Sequence, residues 1–285
     1  MSDLLDKGGV RRAFSRAASR YDEVAALQRE IGQRMLERLN LVSLKPGTVV
    51  DLGAGTGVAT VALEKRYPGA RVVALDFAFP MLQEIRRRGS FFRKPCCLCA
   101  DLEQLPLADA SVDLLYSNAA FQWCNDLNMV FAELQRVLKP GGLLMFTTFG
   151  PDTLKELRAA WSEADGYAHV SRFLDMHDVG DALLGAEFAD PVMDVDRITL
   201  TYDAVEDLMR ELKILGAHNV TDGRQRSLTG KGRLLAMKRA YEHFRSNGQL
   251  PASYEVVYGH AWAPLQHRQQ GVVRVPLEQF GRDPI

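Results

Sequence analysis

Asp51-Leu52-Gly53-Ala54-Gly55-Thr56-Gly57 is the stretch of this 285-residue chain best equipped to hold a ligand. The apolar run Thr48 to Leu52 leads into it and a helix-forming segment, Val58 to Tyr67, leaves it. Glycine turns between a strand and a helix cradle nucleotide-like ligands. Without a Cβ, glycine reaches backbone angles closed to other residues and lets a ligand approach the main chain. A phosphate-gripping loop ends Gly-Lys-Ser/Thr, whereas Gly57 is followed by Val58 and Ala59, which argues against a nucleoside triphosphate. A dinucleotide fingerprint needs its third glycine one position later, where Val58 stands. What remains is an acid directly ahead of Gly-x-Gly-x-Gly. A second acid, Asp76, ends the next apolar run, Arg71 to Leu75, where nucleotide-binding α/β sheets place the carboxylate that accepts ribose hydroxyls.

This acid-and-glycine pattern resembles motif I of the class I S-adenosylmethionine-dependent methyltransferases. The resemblance implies S-adenosylmethionine as cofactor, S-adenosylhomocysteine as product and no metal. It implies a site made of Asp51, Gly53, Ala54, Gly55 and Gly57, of Asp76, Phe77 and Met81, of Asp101 and Leu102, and of Asn118 and Tyr21. An anionic Asp51 suits a ligand that carries an ammonium and a sulfonium. Methyltransferases use the acid after the third strand for the adenine amine, which fits Asp101-Leu102. The alternative for Asp101 is a cap before Leu105-Pro106, and both readings stand. Asn118-Ala119-Ala120-Phe121-Gln122-Trp123 has the make-up of a dry pocket wall that orients a polar substrate, while Phe121 and Trp123 serve equally well as core.

The elements that must position these residues follow from periodicity. Strands at Thr48 to Leu52, Arg71 to Leu75, Cys96 to Ala100, Val112 to Ser117 and Leu143 to Phe149 alternate with helices at Val58 to Tyr67, Pro80 to Arg88 and Leu127 to Leu138. This rhythm predicts a parallel sheet covered by helices on both faces, with ligands beyond the strands' carboxyl ends. Lys139-Pro140-Gly141-Gly142 is the turn into the fifth strand. Ahead of the sheet, Val10 to Asn40 carries helical spacing with a break at Tyr21, the position of an N-terminal lid in this class. Beyond Gly150 come helices at Thr153 to Glu163, Met176 to Leu184, Ala204 to Leu215 and Thr229 to Arg245. Strands at Val192 to Leu200 and Tyr254 to Trp262 complete the pattern. The expectation is an α/β fold, Rossmann-like, with a seven-stranded, mostly parallel sheet, lid helices and helical insertions before the last strand. It forms one domain over residues 1–285: a lid at 1–45, a cofactor core at 46–150, substrate-side insertions and closing strands at 151–264, and a loose tail at 265–285.

A composition of 47% hydrophobic and 25% charged residues is that of a soluble globular protein. A formal net charge of -1 gives no general attraction to nucleic acid or to an anionic membrane. No apolar run spans a bilayer and no secretory signal opens the chain, so a cytoplasmic address is expected. Cys96, Cys97, Cys99 and Cys124 match no common zinc spacing and read as free thiols, the first three on a short buried strand. Charge is concentrated locally: Arg210 to Arg245 holds nine bases against three acids. That segment is either a solvated face or a docking surface for an acidic partner. Arg86-Arg87-Arg88 reads as a solvated helix end.

Three further stretches are more restrictive than motif I. They are Phe14-Ser15-Arg16-Ala17-Ala18-Ser19-Arg20-Tyr21-Asp22, Phe121-Gln122-Trp123-Cys124, and Leu212 to Trp262 with Tyr254-Glu255-Val256-Val257-Tyr258-Gly259-His260-Ala261-Trp262. With them the chain resembles the malonyl-acyl-carrier-protein O-methyltransferases of biotin synthesis over about residues 10–264. The resemblance implies methylation of the free carboxylate of a malonyl thioester, which turns it into a primer for pimelate formation. An acidic carrier would dock on Arg210 to Arg245. A carboxylate is already ionised near neutrality, so no general base is required. Arg172 and Lys213 are the candidates for recognising it, Arg172 being equally a surface ion pair. His260 is a core or supporting residue. Other classes compatible with motif I are a modifier or assembly factor that binds the cofactor, a methyltransferase of small dicarboxylates, and a nucleic-acid methyltransferase. The last is disfavoured because Asn118-Ala119-Ala120-Phe121 stands where a flipped-base motif would be.

Overall fold

The computed structural model describes residues 4–88, 95–217 and 230–265. Five parallel strands, β1 (Thr48–Leu52), β2 (Arg71–Asp76), β3 (Cys96–Cys99), β4 (Val112–Ser117) and β5 (Leu138–Phe149), are followed by β6 (Ala189–Tyr202) and β7 (Leu250–Trp262). Their order across the sheet is β3-β2-β1-β4-β5-β7-β6. Only β7 runs against the others, pairing antiparallel with both β5 and β6. The last strand therefore slots in beside β5, and β6 takes the edge, as its alternating, never fully buried pattern requires.

Alternation along the parallel strands supplies both faces of the core. Val49, Leu114, Tyr116, Leu143 and Met145 project into one apolar cluster; Val50, Leu52, Leu115, Leu144 and Phe146 project into the other. On the first face lie α3 (Ala26–Arg38), α4 (Val58–Arg66), α7 (Lys155–Ala164), α9 (Val205–Ile214) and α10 (Lys231–Glu242). The second face is covered by α6 (Leu127–Val137) and α8 (Met176–Gly185). α5 (Phe79–Arg88) packs Leu82 and Ile85 on Ala74. The chain winds outward from β1 to β3, then returns to β4 on the other side of β1, so the switch point falls at the carboxyl ends of β1 and β4.

Three details depart from the sequence reading. The N-terminal segment is α1 (Lys7–Ala17), a single turn α2 (Tyr21–Val24) and α3, so Tyr21 starts a helical turn instead of marking one simple break. β3 is an edge strand, paired with β2 alone among the described residues, and its Cys96 and Cys99 are exposed. Lys139 to Gly142 lies within β5 as an irregularity: Leu138 pairs with Val112, the register shifts, and Gly141, at φ +75°, donates its N–H to Ala263. Arg86, Arg87 and Arg88 are exposed at the end of α5, as read, but Arg88 is also held in an ion pair described below. Arg93, Lys94, Asp222, Arg224, Arg226 and the tail after Leu265 lie outside the described residues.

Candidate active site

The glycine turn closes over two acids. Gly53, Gly55 and Gly57 all have positive φ, at +65°, +54° and +86°. At Gly53 a Cβ would stand 2.5 Å from that of Ala120, and at Gly57 one would meet Ile85 at 2.8 Å, so both are packing requirements. At Gly55 an added Cβ meets nothing within 4 Å, because that side opens on a cleft. Asp76, 6% exposed, accepts from the N–H of Gly55 at 2.9 Å and of Ala78 at 2.8 Å. Two of the roughly four acceptor positions of its carboxylate are thereby used, and the rest are available at the cleft wall. Asp51 is 1% exposed and accepts from Thr60 Oγ1 at 2.6 Å. Burial raises the carboxyl of Asp76 to about 6 and that of Asp51 to about 7, the latter aided by the neighbouring Asp76.

The cleft is lined by Tyr21, Gly53, Gly55, Asp76, Phe77, Met81, Asp101, Leu102 and Asn118. Asp51, Ala54 and Gly57, named with them from the sequence, do not line it: they underlie and shape the turn. Asp101 lines the cleft and also caps the turn that follows it, accepting from the N–H of Glu103 at 3.1 Å. Its carboxylate pairs with Lys7 at 2.9 Å, and Lys7 also reaches Glu103 at 3.0 Å, so α1 is tied to the end of β3 across the cleft. Trp123 lines the cleft and meets Phe14 edge-on at 5.2 Å, whereas Phe121 is buried among Phe131 and Phe146 as pure core.

The α2 segment is tied to the glycine turn. Asp22 accepts from Thr56 Oγ1 at 2.7 Å and pairs with Arg88, whose Nε donates to the Thr56 carbonyl at 2.6 Å. This holds Tyr21 in the cleft wall, where burial and the nearby Asp76 raise its phenol far above its ordinary value. Residue spacing could not reveal Lys7, Phe14, Asp22 or Arg88 as site residues, because each acts across a gap of dozens of positions. The family-like run Phe14 to Asp22 was the one signal.

A second, larger cleft of about 970 Å³ adjoins the first between α1, α7 and α9. Gln28, Gln122, Trp123, Phe149, Leu215 and Ala217 line both. Its other walls carry Leu157, Trp161, Phe173 and Tyr254 together with Arg16, Arg20, Arg210 and Lys213, against Glu211, the single acid there among the described residues. Lys213 thus lines this cleft. Arg172 is exposed and does not, although its neighbours Ser171 and Phe173 do. His260 lies on β7 away from both clefts, and burial with nearby Arg38 lowers its pKa. In the basic segment, Arg210, Arg233, Lys238 and Arg245 face Asp207, Asp165, Glu206 and Glu242, while Lys213, Lys231 and Arg239 are exposed. Among the described residues no cluster of three His, Cys, Asp or Glu side chains is placed to hold a metal ion, and no helix is long and apolar enough to cross a membrane.

This sheet order, with a glycine turn over buried acids and a cleft at the switch point, defines the class I S-adenosylmethionine-dependent methyltransferase fold. A family model described as a methyltransferase domain matches residues 50–146. The crystal structure of the YcgJ protein from Bacillus subtilis has the same fold, with TM-score 0.60 at 14% identity, covering 83% of this chain and 99% of that one. Sequence relatives narrow the class. A malonyl-[acyl-carrier protein] O-methyltransferase from Methylovorus sp. (strain MP688) is 55% identical over 92% of this chain and 90% of its own length. One of the same description from Gallionella capsiferriformans (strain ES-2) is 51% identical over 92% of each. The chain belongs to the malonyl-[acyl-carrier protein] O-methyltransferase family.

Proposed function

We propose that this protein transfers a methyl group from S-adenosylmethionine to the free carboxylate of a malonyl thioester on an acyl carrier protein, giving the methyl ester that primes pimeloyl formation in biotin synthesis. The observation that carries this is the pair of clefts meeting at one shared wall, one over buried acids and the other wide, apolar and rich in cations.

The residues of the first cleft fit the donor. Asp76 has acceptor positions left for two ribose hydroxyls, and the open side of Gly55 admits a ligand to the main chain. Once ionised, above about pH 7, Asp51 and Asp76 together give the turn a negative field that suits a cation. Tyr21, Phe77, Met81, Leu102 and Asn118 form the remaining walls, with Asp101 at the adenine end. Bound there, S-adenosylmethionine supplies an electrophilic methyl group on a sulfonium. Metal ligands have no part in this reading.

The work left to the chain is alignment and drying. A carboxylate nucleophile is ionised at neutral pH, so no side chain has to take its proton. Trp123, Phe149 and Leu215 exclude water where the clefts meet, which strips a nucleophile that hydration slows. Holding oxygen, methyl and sulfur in line supplies most of the remaining acceleration. Lys213 provides positive charge to the anionic substrate, in preference to Arg172. The exposed bases among Arg210 to Arg245 suit an acidic carrier protein, with neither nucleic acid nor membrane as partner.

Initial rates on malonyl-carrier protein, malonyl-coenzyme A and free dicarboxylates test the proposal. The carrier substrate should be fastest and its product a malonyl methyl ester. Equal rates on free dicarboxylates, or no ester on the carrier, would overturn it.

A further inference from the structure

We propose that Gln28 fixes the amino-acid end of the methyl donor, its Oε1 accepting from the donor's ammonium while its amide N–H₂ serves the substrate carboxylate. This deepens the function proposed above and rests on it. Gln28 is one of the six residues that line both clefts. Its Oε1 is buried, and among the described residues it has no hydrogen-bond partner. A buried acceptor without a partner forfeits its solvation for nothing; it does not open on the cleft, so a turn of the Gln28 side chain toward a donor on the ligand relieves it.

The helix beneath it has no room to relieve the defect. The Gln28 carbonyl accepts from Asn118 Nδ2 at 2.9 Å, and Asn118 Oδ1 in turn accepts from Thr147 Oγ1 at 2.8 Å. One turn further along, Tyr116 Oη donates to the Gly32 carbonyl at 3.0 Å. A Cβ at Gly32 would stand 2.8 Å from Asn118 Nδ2, so α3 is seated directly on the ends of β4 and β5. The main chain at Gln28 is therefore fixed, and its side chain alone turns to bring Oε1 to the ligand.

Ligand chemistry selects the partner. The reacting end of a malonyl thioester offers only acceptors, the carboxylate and the thioester carbonyl. On the donor, the ribose hydroxyls belong to Asp76 and the adenine amine to the opposite end of the cleft. That leaves the ammonium, which has three N–H groups to satisfy. A neutral amide oxygen takes one of them without repelling an incoming carboxylate, and the same planar group carries two N–H donors for that carboxylate. Glutamate at this position would serve the ammonium and oppose the substrate.

Calorimetric titration of the full-length protein tests the assignment, with S-adenosylhomocysteine and with 5′-methylthioadenosine, which keeps the adenosine and sulfur but lacks the amino-acid end. Gln28→Ala should weaken S-adenosylhomocysteine about tenfold or more and leave 5′-methylthioadenosine unchanged. Gln28→Glu should keep S-adenosylhomocysteine affinity and lower kcat/KM on malonyl-carrier protein at least tenfold. Equal losses for both ligands in Gln28→Ala would reduce Gln28 to packing and overturn the proposal, as would no loss for either or full activity of Gln28→Glu. Failure of the unaltered protein to bind either ligand would strike the methyl-donor reading itself, a result distinct from these.

Discussion

Replacing Asp76 by Asn separates the acid's role in binding from its role in folding. The carboxylate accepts two main-chain N–H groups, from Gly55 and Ala78, and an Asn side chain has one oxygen. Its NH₂ must face one of those donors, at a cost of about 1–3 kcal/mol. Removing a buried carboxylate whose ionisation is already disfavoured, at a pKa raised by burial to about 6, offsets part of that cost. Net destabilisation should stay near 1–2 kcal/mol, a fall in Tm of a few degrees for a chain of this size. Binding suffers more, because charge-assisted hydrogen bonds to ribose become neutral or repulsive. At about 1.5–3 kcal/mol this is roughly a 10- to 150-fold loss of affinity for S-adenosylhomocysteine, measured by calorimetry at pH 7.5. A folded Asp76→Asn variant with unchanged affinity would refute the ribose assignment and the reading of the turn built on it.

The same acids set a pH dependence. With Asp76 raised to about 6 and Asp51 to about 7, chiefly by burial, affinity for the cationic donor should rise from pH 5 to about pH 7.5 with proton release on binding, detectable in buffers of different ionisation enthalpy. In the ligand-free protein the sign is opposite. The folded state keeps protons that the unfolded chain gives up near pH 4, so these groups' contribution to stability should decline between about pH 4 and 7 in denaturant titrations. Asp22→Ala cuts the tie to Thr56 and Arg88; it should change stability by less than about 1 kcal/mol and weaken donor binding several-fold. Gly53→Ala, which forces a Cβ to 2.5 Å from Ala120 at φ +65°, should cost about 2 kcal/mol or more and abolish donor binding. Lys213→Glu should raise KM for the carrier-linked substrate without altering S-adenosylhomocysteine affinity.

The parallel sheet was readable from the sequence because buried strands such as Thr48 to Leu52 and Val112 to Ser117 are short apolar runs bounded by turns, and these match the observed bounds. The cysteine strand misled: Cys96 to Ala100 is apolar in type, but its place at the sheet edge follows from topology, which no local pattern encodes. The position of β7 between β5 and β6 escaped for the same reason. That the glycine turn and Asp76 meet at the strand ends was legible because each closes a short apolar run. Lys7 against Asp101, Arg88 against Asp22 and the unmet oxygen of Gln28 were not, since each depends on how α1 to α3 fold back over the strand ends. The nine bases of Arg210 to Arg245 looked uniform in sequence, yet Arg210, Arg233, Lys238 and Arg245 each face an acid.

A crystal structure with S-adenosylhomocysteine tests the central claim most directly. The adenosine should lie in the cleft at the carboxyl ends of β1, β2 and β4, with its ribose hydroxyls on Asp76 and its sulfur turned toward the wall shared with the wide cleft. A ligand bound elsewhere, or a sulfur facing away from Gln28, Gln122 and Trp123, would contradict it.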